Sequence, residues 1–363
     1  MSRRPDLGYF DEGLDLADPT LYQAARGALG SATLLPPVAY RSNTFAYLED
    51  EAVWTRSWIA LGTTSEVPEE GDLLPFTVGY HGIHVQREAA GRLVGRFNKA
   101  QHGGCRMVPA QCQVGVKTKC SFTSCGYSRD RGAISMAAEG DNLPTMHQYL
   151  GLRPERLLPV AVATVGPVVF ANLDPDCREE VLGGIALPET LSSPDATHVH
   201  GQWLEFDANW KLSAQALASG ESVASTSRML SSRRTGPDGA IRADWIFPNA
   251  VVLSAGEESC LVIVQQTAIE KTLYRVQVFS AGGVPASIDG WIGEVRRCGQ
   301  AAEALQRDVR QASAAGDQAA ATSLPQTDAS GLWGQKMLIE RVASMPRQNS
   351  EMPIYQGTRN YLI

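Results

Sequence analysis

Two segments carry side chains of the kind that bind soft metals. Asn98-Lys-Ala-Gln-His-Gly-Gly-Cys-Arg-Met107 holds His102 and Cys105, and Lys119-Cys-Ser-Phe-Thr-Ser-Cys-Gly-Tyr-Ser-Arg-Asp-Arg-Gly132 holds Cys120 and Cys125. Seventeen residues separate His102 from Cys120, about one hairpin. Paired loops of this sort hold a 2Fe–2S centre when each offers one Cys and one His, with thiolates on one iron and imidazoles on the other. Four N/S donors on two adjacent loops also suit tetrahedral zinc, and His102, Cys105, Cys120 and Cys125 are that alternative set, although their separations are not the tight C-x2–4-C kind. Cys112 reads as a small buried hydrophobe.

On these residues the stretch resembles the Rieske domain of ring-hydroxylating oxygenases, large-subunit type. That family's pattern is Cys-x-His in the first loop and Cys-x-x-His in the second. Laid on this sequence, it puts the first pair on Ala100 and His102 and the second on Cys120 and Thr123. Alanine has no donor atom, and a threonine hydroxyl is a poor substitute for imidazole. Each iron would keep one protein ligand, so the expectation is that no ordinary cluster forms. The bland reading of His102 and Cys120 is a remnant of such a site.

The resemblance implies a second centre, a mononuclear iron held by two His and one carboxylate. The family's motif starts Asn-Trp-Lys-Leu, present here as Asn209, Trp210, Lys211 and Leu212, and continues Glu-Asn-x-x-(Asp/Glu)-x-Tyr-His-x4-His. After Leu212 every functional position differs. Glu falls on Gln215 and Asn on Ala216. The acidic residue that links the two centres across a subunit boundary falls on Ser219, and Tyr falls on Glu221. The two His fall on Ser222 and Ser227, while the late carboxylate matches Asp308. The six histidines are His81, His84, His102, His147, His198 and His200, so none follows residue 200 and no shift of alignment restores a two-His site in that segment. A lone carboxylate cannot hold a divalent iron against water. Asp308 then needs a donor of its own, and Arg228 is one candidate. His198 and His200, two apart on a strand, are expected on one face; His81 and His84 are expected on opposite faces.

The elements that must position these residues read as follows. Thr44 to Trp58 has the apolar spacing of one amphipathic helix. Gly82–Arg87 and Arg92–Phe97 alternate as strands, with a loop at 88–91. Residues 159–174 hold two β-rich runs around Gly166-Pro167. His198–Phe206, Trp245–Asn249, Val251–Leu253, Cys260–Gln266 and Thr272–Phe279 are strand-like. A helix is expected from Asn209 to about Ser227, a long one over 288–320, rich in Ala, Glu, Gln and Arg, and another over Gly331–Ser344. The organisation expected is an arm and helix (1–58) packing on the C-terminal domain, a Rieske-like β domain (59–165), and an antiparallel-sheet domain (166–363). The class is α+β. The resemblance implies that the second domain is a helix-grip, START-like sheet covered by a long helix.

Composition sets the outer limits. With 363 residues and 44% apolar content the chain can bury cores for two or three units. Net charge is −7 without a basic run, which argues against nucleic acid or an anionic membrane as partner. No apolar h-region and no stretch of ~18 apolar residues is seen. The seven cysteines are an odd number and spread from Cys105 to Cys298, as expected for reduced thiols in a cytoplasm. The expectation for function is a non-catalytic alpha-like subunit with no cofactor, set in a ring-like hetero-oligomer beside an active Rieske oxygenase subunit that hydroxylates or demethylates a small substrate. Two alternatives stand beside it: an enzyme with a replacement zinc or Cys site in the loops, and a small-ligand-binding protein that uses a vacated pocket.

Overall fold

The computed structural model describes residues 9–97, 158–177, 179–236, 239–281, 287–314 and 324–345. The chain divides into two units, one of residues 54–179 and one of residues 8–53 with 180–345.

In chain order the strands are β1 (Phe10–Asp11), β2 (Leu14–Asp15), β3 (Ile59–Thr63), β4 (Leu73–Val78), β5 (His81–Arg87), β6 (Leu93–Phe97), β7 (Pro159–Val165), β8 (Val168–Asn172), β9 (Thr197–Phe206), β10 (Glu221–Ser225), β11 (Met229–Gly236), β12 (Gly239–Ile246), β13 (Ala250–Ala255), β14 (Glu258–Ala268) and β15 (Lys271–Ser280). We label the main helices α1 (Val38–Arg41), α2 (Asn43–Glu49), α3 (Trp210–Leu217), α4 (Ile288–Ala314) and α5 (Ala329–Ser344).

The first unit is an antiparallel sheet in the order β3-β8-β7-β6-β5-β4. It curls so that its edge strands β3 and β4 approach, in the manner of a small barrel. The β7–β8 hairpin turns at Gly166, whose φ of +53° only glycine adopts without strain. His84 is buried while His81 is half-buried, as expected for opposite faces of β5. Residues 98–157, which contain both quasi-ligand loops, fall between β6 and β7 in sequence. Ala100, His102, Cys105, Cys120, Thr123 and Cys125 therefore lie outside the described residues.

The second unit is a seven-stranded antiparallel sheet in the order β10-β11-β12-β13-β14-β15-β9. The α+β class and the sheet with a long helix agree with expectation. Buried Trp291, Val295, Cys298, Ala302, Gln306 and Val309 recur at three- and four-residue steps, so one stripe of α4 faces inward. Asp328 caps α5, its carboxylate accepting from Gly331 N at 2.8 Å.

Two local expectations need correction, and one strand carries no expectation from the sequence. Thr44–Trp58 is not one helix: α2 ends at Glu49, a π-type turn spans Asp50–Trp54, and Trp58 leads into β3. The polar run Met229–Gly236, which carries little apolar signal, is a full strand between β10 and β12. His198 and His200 do not share a face. His200 pairs with Val278 and His198 with the very next residue, Phe279, so Val199 is a bulge that reverses the alternation. His198 stacks edge-on against Phe279 at 5.3 Å and bonds Gln277 at 2.6 Å, while His200 bonds Gln202 at 3.3 Å.

Packing also decides which helical glycines are free. At Gly334 a Cβ would overlap the indole of Trp245, whereas at Gly293 it would meet nothing within 4 Å. Trp245 is 2% exposed, and its Nε1 donates to Pro248 O at 3.0 Å. Gly334→Ala should therefore lose about 1–2 kcal/mol net, overpacking outweighing the gain in helix propensity, while Gly293→Ala should gain about 0.5–1 kcal/mol. Denaturant unfolding of both checks the opposite signs.

Candidate functional site

The Asn-Trp-Lys-Leu run opens α3, and each polar group in it is spoken for. Asn209 is the N-cap, its Oδ1 accepting from Lys211 N at 3.1 Å, and its Nδ2 donates to Ile269 O at 2.7 Å and Tyr40 O at 3.3 Å. The Trp210 indole donates to Glu49 Oε2 at 3.3 Å, and Lys211 Nζ donates to Glu49 Oε1 at 2.5 Å. The Lys211 ammonium also lies 5.2–5.3 Å from the ring centres of Tyr40, Phe45 and Trp210. Burial pushes the Glu49 carboxyl up and the Lys211 ammonium down, and their mutual attraction works against both shifts. Together these contacts tie the N-terminal helices α1 and α2 to α3. Glu49 is the residue that sequence reasoning missed. Its signal is indirect: a lysine at the start of a buried helix demands a carboxylate, but nothing local says which one.

The far end of α3 is equally well defined, and it departs from expectation. The helix stops at Leu217 instead of running on to Ser227. Its last carbonyls are taken by side chains. Ser219 Oγ donates to Ala216 O at 2.9 Å, Ser232 Oγ to Ala218 O at 2.6 Å, and Arg234 Nη1 to Leu217 O at 2.7 Å and Ser219 O at 2.8 Å. Gly220 then turns the chain at φ +148°, where any Cβ would press on the Arg233 carbonyl at 2.5 Å. Beyond it the Ser-rich segment pairs with β11 as the edge strand β10.

This geometry places the positions singled out from the sequence. Ser219 is a helix-end residue. Ser222 is exposed on β10, and Ser227 is exposed in the turn that follows it. Asp308 is half-buried on α4 and makes no ion pair among the described residues, so the suggested Asp308–Arg228 pairing is not formed. Serine hydroxyls on an exposed edge strand are not ligands for Fe(II), and one carboxylate does not complete a site. The donor set at these positions does not fit a mononuclear iron. Among the described residues no three His, Cys, Asp or Glu side chains come together as a metal site. Cys260 and Cys298 are buried free thiols; burial pushes Cys260 well above the usual range and raises Cys298 as well, against the pull of Arg234 and Arg297. A cavity of about 10 Å³ lies among Tyr40, Trp210, Lys211, Gln215, Trp245 and Gln335, room for about one water molecule. No helix among the described residues is long and apolar enough to cross a membrane.

No protein-family model matches the sequence. Curated relatives do. The chain is 27% identical over 216 residues to the biphenyl 2,3-dioxygenase subunit alpha of Rhodococcus jostii, covering 56% of this chain and 45% of that protein. It is 24% identical over 181 residues to the glycine betaine monooxygenase oxygenase subunit of Pseudomonas aeruginosa, covering 49% and 41%. The chain is homologous to Rieske oxygenase alpha subunits. The matched stretch spans under half the length of these two relatives. Two solved Rieske oxygenases share the fold of this homologue. Naphthalene 1,2-dioxygenase from Rhodococcus sp. has a TM-score of 0.55 at 15% identity, over 93% of this chain and 100% of that one. A quaternary ammonium Rieske monooxygenase has a TM-score of 0.60 at 16% identity, over 88% and 97%.

Proposed function

We propose that this alpha-subunit homologue is a non-catalytic subunit of a heteromeric Rieske-type oxygenase. It would assemble in a ring with an active homologue that hydroxylates or demethylates a small substrate, and supply contacts in place of chemistry. The observation that carries the reading is the run from Leu217 to Ser227. There the helix is closed off by Ser232 and Arg234, and the two histidine positions are exposed serines. The loss of Ala100 and Thr123 as donors in the first loops points the same way. Meanwhile the scaffold around Asn209, Trp210 and Lys211 is intact, as a subunit kept for its shape requires. A replacement zinc at His102, Cys105, Cys120 and Cys125 is the rival reading, and metal analysis separates the two. A small-ligand-binding protein that uses a vacated pocket beside Ser222 is the other reading; the cavity beside Lys211, with its single-water volume, is not that pocket.

The test is production of the chain alone and together with an active alpha-subunit homologue. Alone it should carry substoichiometric iron and zinc and turn over nothing. Together the two should co-purify, and turnover should fall when this chain is omitted. An active homologue that assembles and turns over equally well without it rejects the proposal, as does stoichiometric iron in the chain alone.

A further inference from the structure

The turn that carries Ser227 also carries an uncompensated positive charge. The Arg228 guanidinium makes no hydrogen bond or ion pair among the described residues; only its backbone is engaged, its N–H donating to Thr226 Oγ1 at 3.2 Å and its carbonyl accepting from Phe247 N at 2.9 Å. The ring of that same Phe247 is covered by a second guanidinium, with Arg341 Cζ 4.3 Å from the ring centre. Arg341 spends one N–H on Met337 O, at 2.9 Å, and makes no ion pair among the described residues. Its sequence neighbour Glu340 faces Lys336 at 4.0 Å instead. Trp333 on α5 fastens this helix to the turn, its Nε1 donating to Thr226 O at 3.0 Å. Phe247 and Thr226 thus bring two arginines from distant parts of the chain to one place. Burial first weakens Arg341's hold on its proton; the nearby Glu340 carboxylate works against that shift, and the like charge of Arg228 adds to it. A guanidinium nevertheless stays charged in proteins.

Both arginines are half-buried and meet around Phe247, and an anion between two like charges offsets their repulsion. We propose that Arg228 and Arg341 together bind a small oxyanion, a carboxylate or a phosphate group, with Phe247 as the fixed platform that orients the Arg341 fork. Arginine suits this task because its planar donors match both anions in two-point fashion. The argument is independent of whether the chain is catalytic.

Thermal unfolding and calorimetry of the full chain test the proposal, with inorganic phosphate and sodium acetate as separate probes against chloride at equal ionic strength. One or both probes should bind saturably, one per chain, and raise the unfolding midpoint beyond the chloride control. The probe that responds identifies the anion class. Arg228→Gln should weaken that binding on the order of tenfold or more. Without anion, the same variant should be as stable as the parent or more so, because its guanidinium has no partner to lose. Arg341→Gln should also abolish the response, but it removes packing on Phe247, so Arg228→Gln is the deciding variant. No saturable response to either probe overturns the proposal. So does a response that Arg228→Gln leaves intact, or a fall in anion-free stability in that variant.

Discussion

Lys211→Met should lower the unfolding free energy by about 3–5 kcal/mol, with a midpoint roughly 10 °C lower. The substitution keeps most of the side-chain volume, so packing changes little. What it leaves is Glu49, 1% exposed, with its ammonium partner gone and only the Trp210 N–H to solvate it. A buried carboxylate in that position takes up a proton, and this fixes the sign of the pH dependence. Burial already raises Glu49 above the ordinary glutamate range, and removal of Lys211 takes away the largest opposing influence. A group whose folded pKa is raised contributes stability that is full below its unfolded pKa and is lost as pH rises through the folded value. The variant should therefore be least impaired near pH 4 and lose stability toward pH 8. Glu49→Gln with Lys211→Met removes both charges and should recover to within about 1–2 kcal/mol of the parent, without the pH slope. Denaturant unfolding across pH checks all three statements. A single variant as stable as the parent, or one that gains stability as pH rises, would show that the pair is not what holds α2 to α3.

Much of this architecture is legible in the sequence where one physical signal dominates. Val251–Leu253, Cys260–Gln266 and Thr272–Phe279 are apolar runs bounded by turns, and they emerge as β13, β14 and β15. The long helix shows in the Ala-, Glu-, Gln- and Arg-rich composition of 288–320, and it emerges as α4. Legibility fails where long-range contacts override local preference. Ala216 to Ser227 is small and polar, compatible with helix or strand. What decides is Ser232 and Arg234, fifteen or so residues away, and the Gly220 backbone lying against Arg233. The His198–His200 spacing misleads for a related reason, because a one-residue bulge at Val199 reverses every facing beyond it. The candidate metal positions divide along the same line. Donor chemistry is readable from residue type alone, which is why Ser222 and Ser227 are expected to be non-ligands before any geometry. Their exposure on an edge strand is not readable, since it follows from where α3 ends.

That end point is the basis of the second large effect. Arg234→Met should cost about 3 kcal/mol, because one guanidinium serves two structures at once. Its Nη1 holds the carbonyls of Leu217 and Ser219, and its Nε and Nη2 lie 3.0 and 2.8 Å from Glu294 Oε1 on α4. Removal leaves those carbonyls without their charged donor and leaves Glu294, 4% exposed, with the half-exposed Arg297 and the weak thiol donor of Cys298. Arg234→Lys should recover less than half of the loss, since a compact ammonium cannot reach helix end and carboxylate in the same geometry. Arg234→Met with Glu294→Leu separates the two parts: the buried charge is gone, so most of the global stability returns, but the helix end stays uncapped. Amide hydrogen exchange reads that remainder directly. Protection should fall at 218–225, where α3 meets β10, and stay near parental values in β13 to β15. If the single variant costs under ~1 kcal/mol by unfolding, or if exchange at β10 is unchanged in the double variant, then Gly220 and Ser232 suffice to stop the helix. The closed-off end of α3 would then be a weaker basis for reading this subunit as non-catalytic.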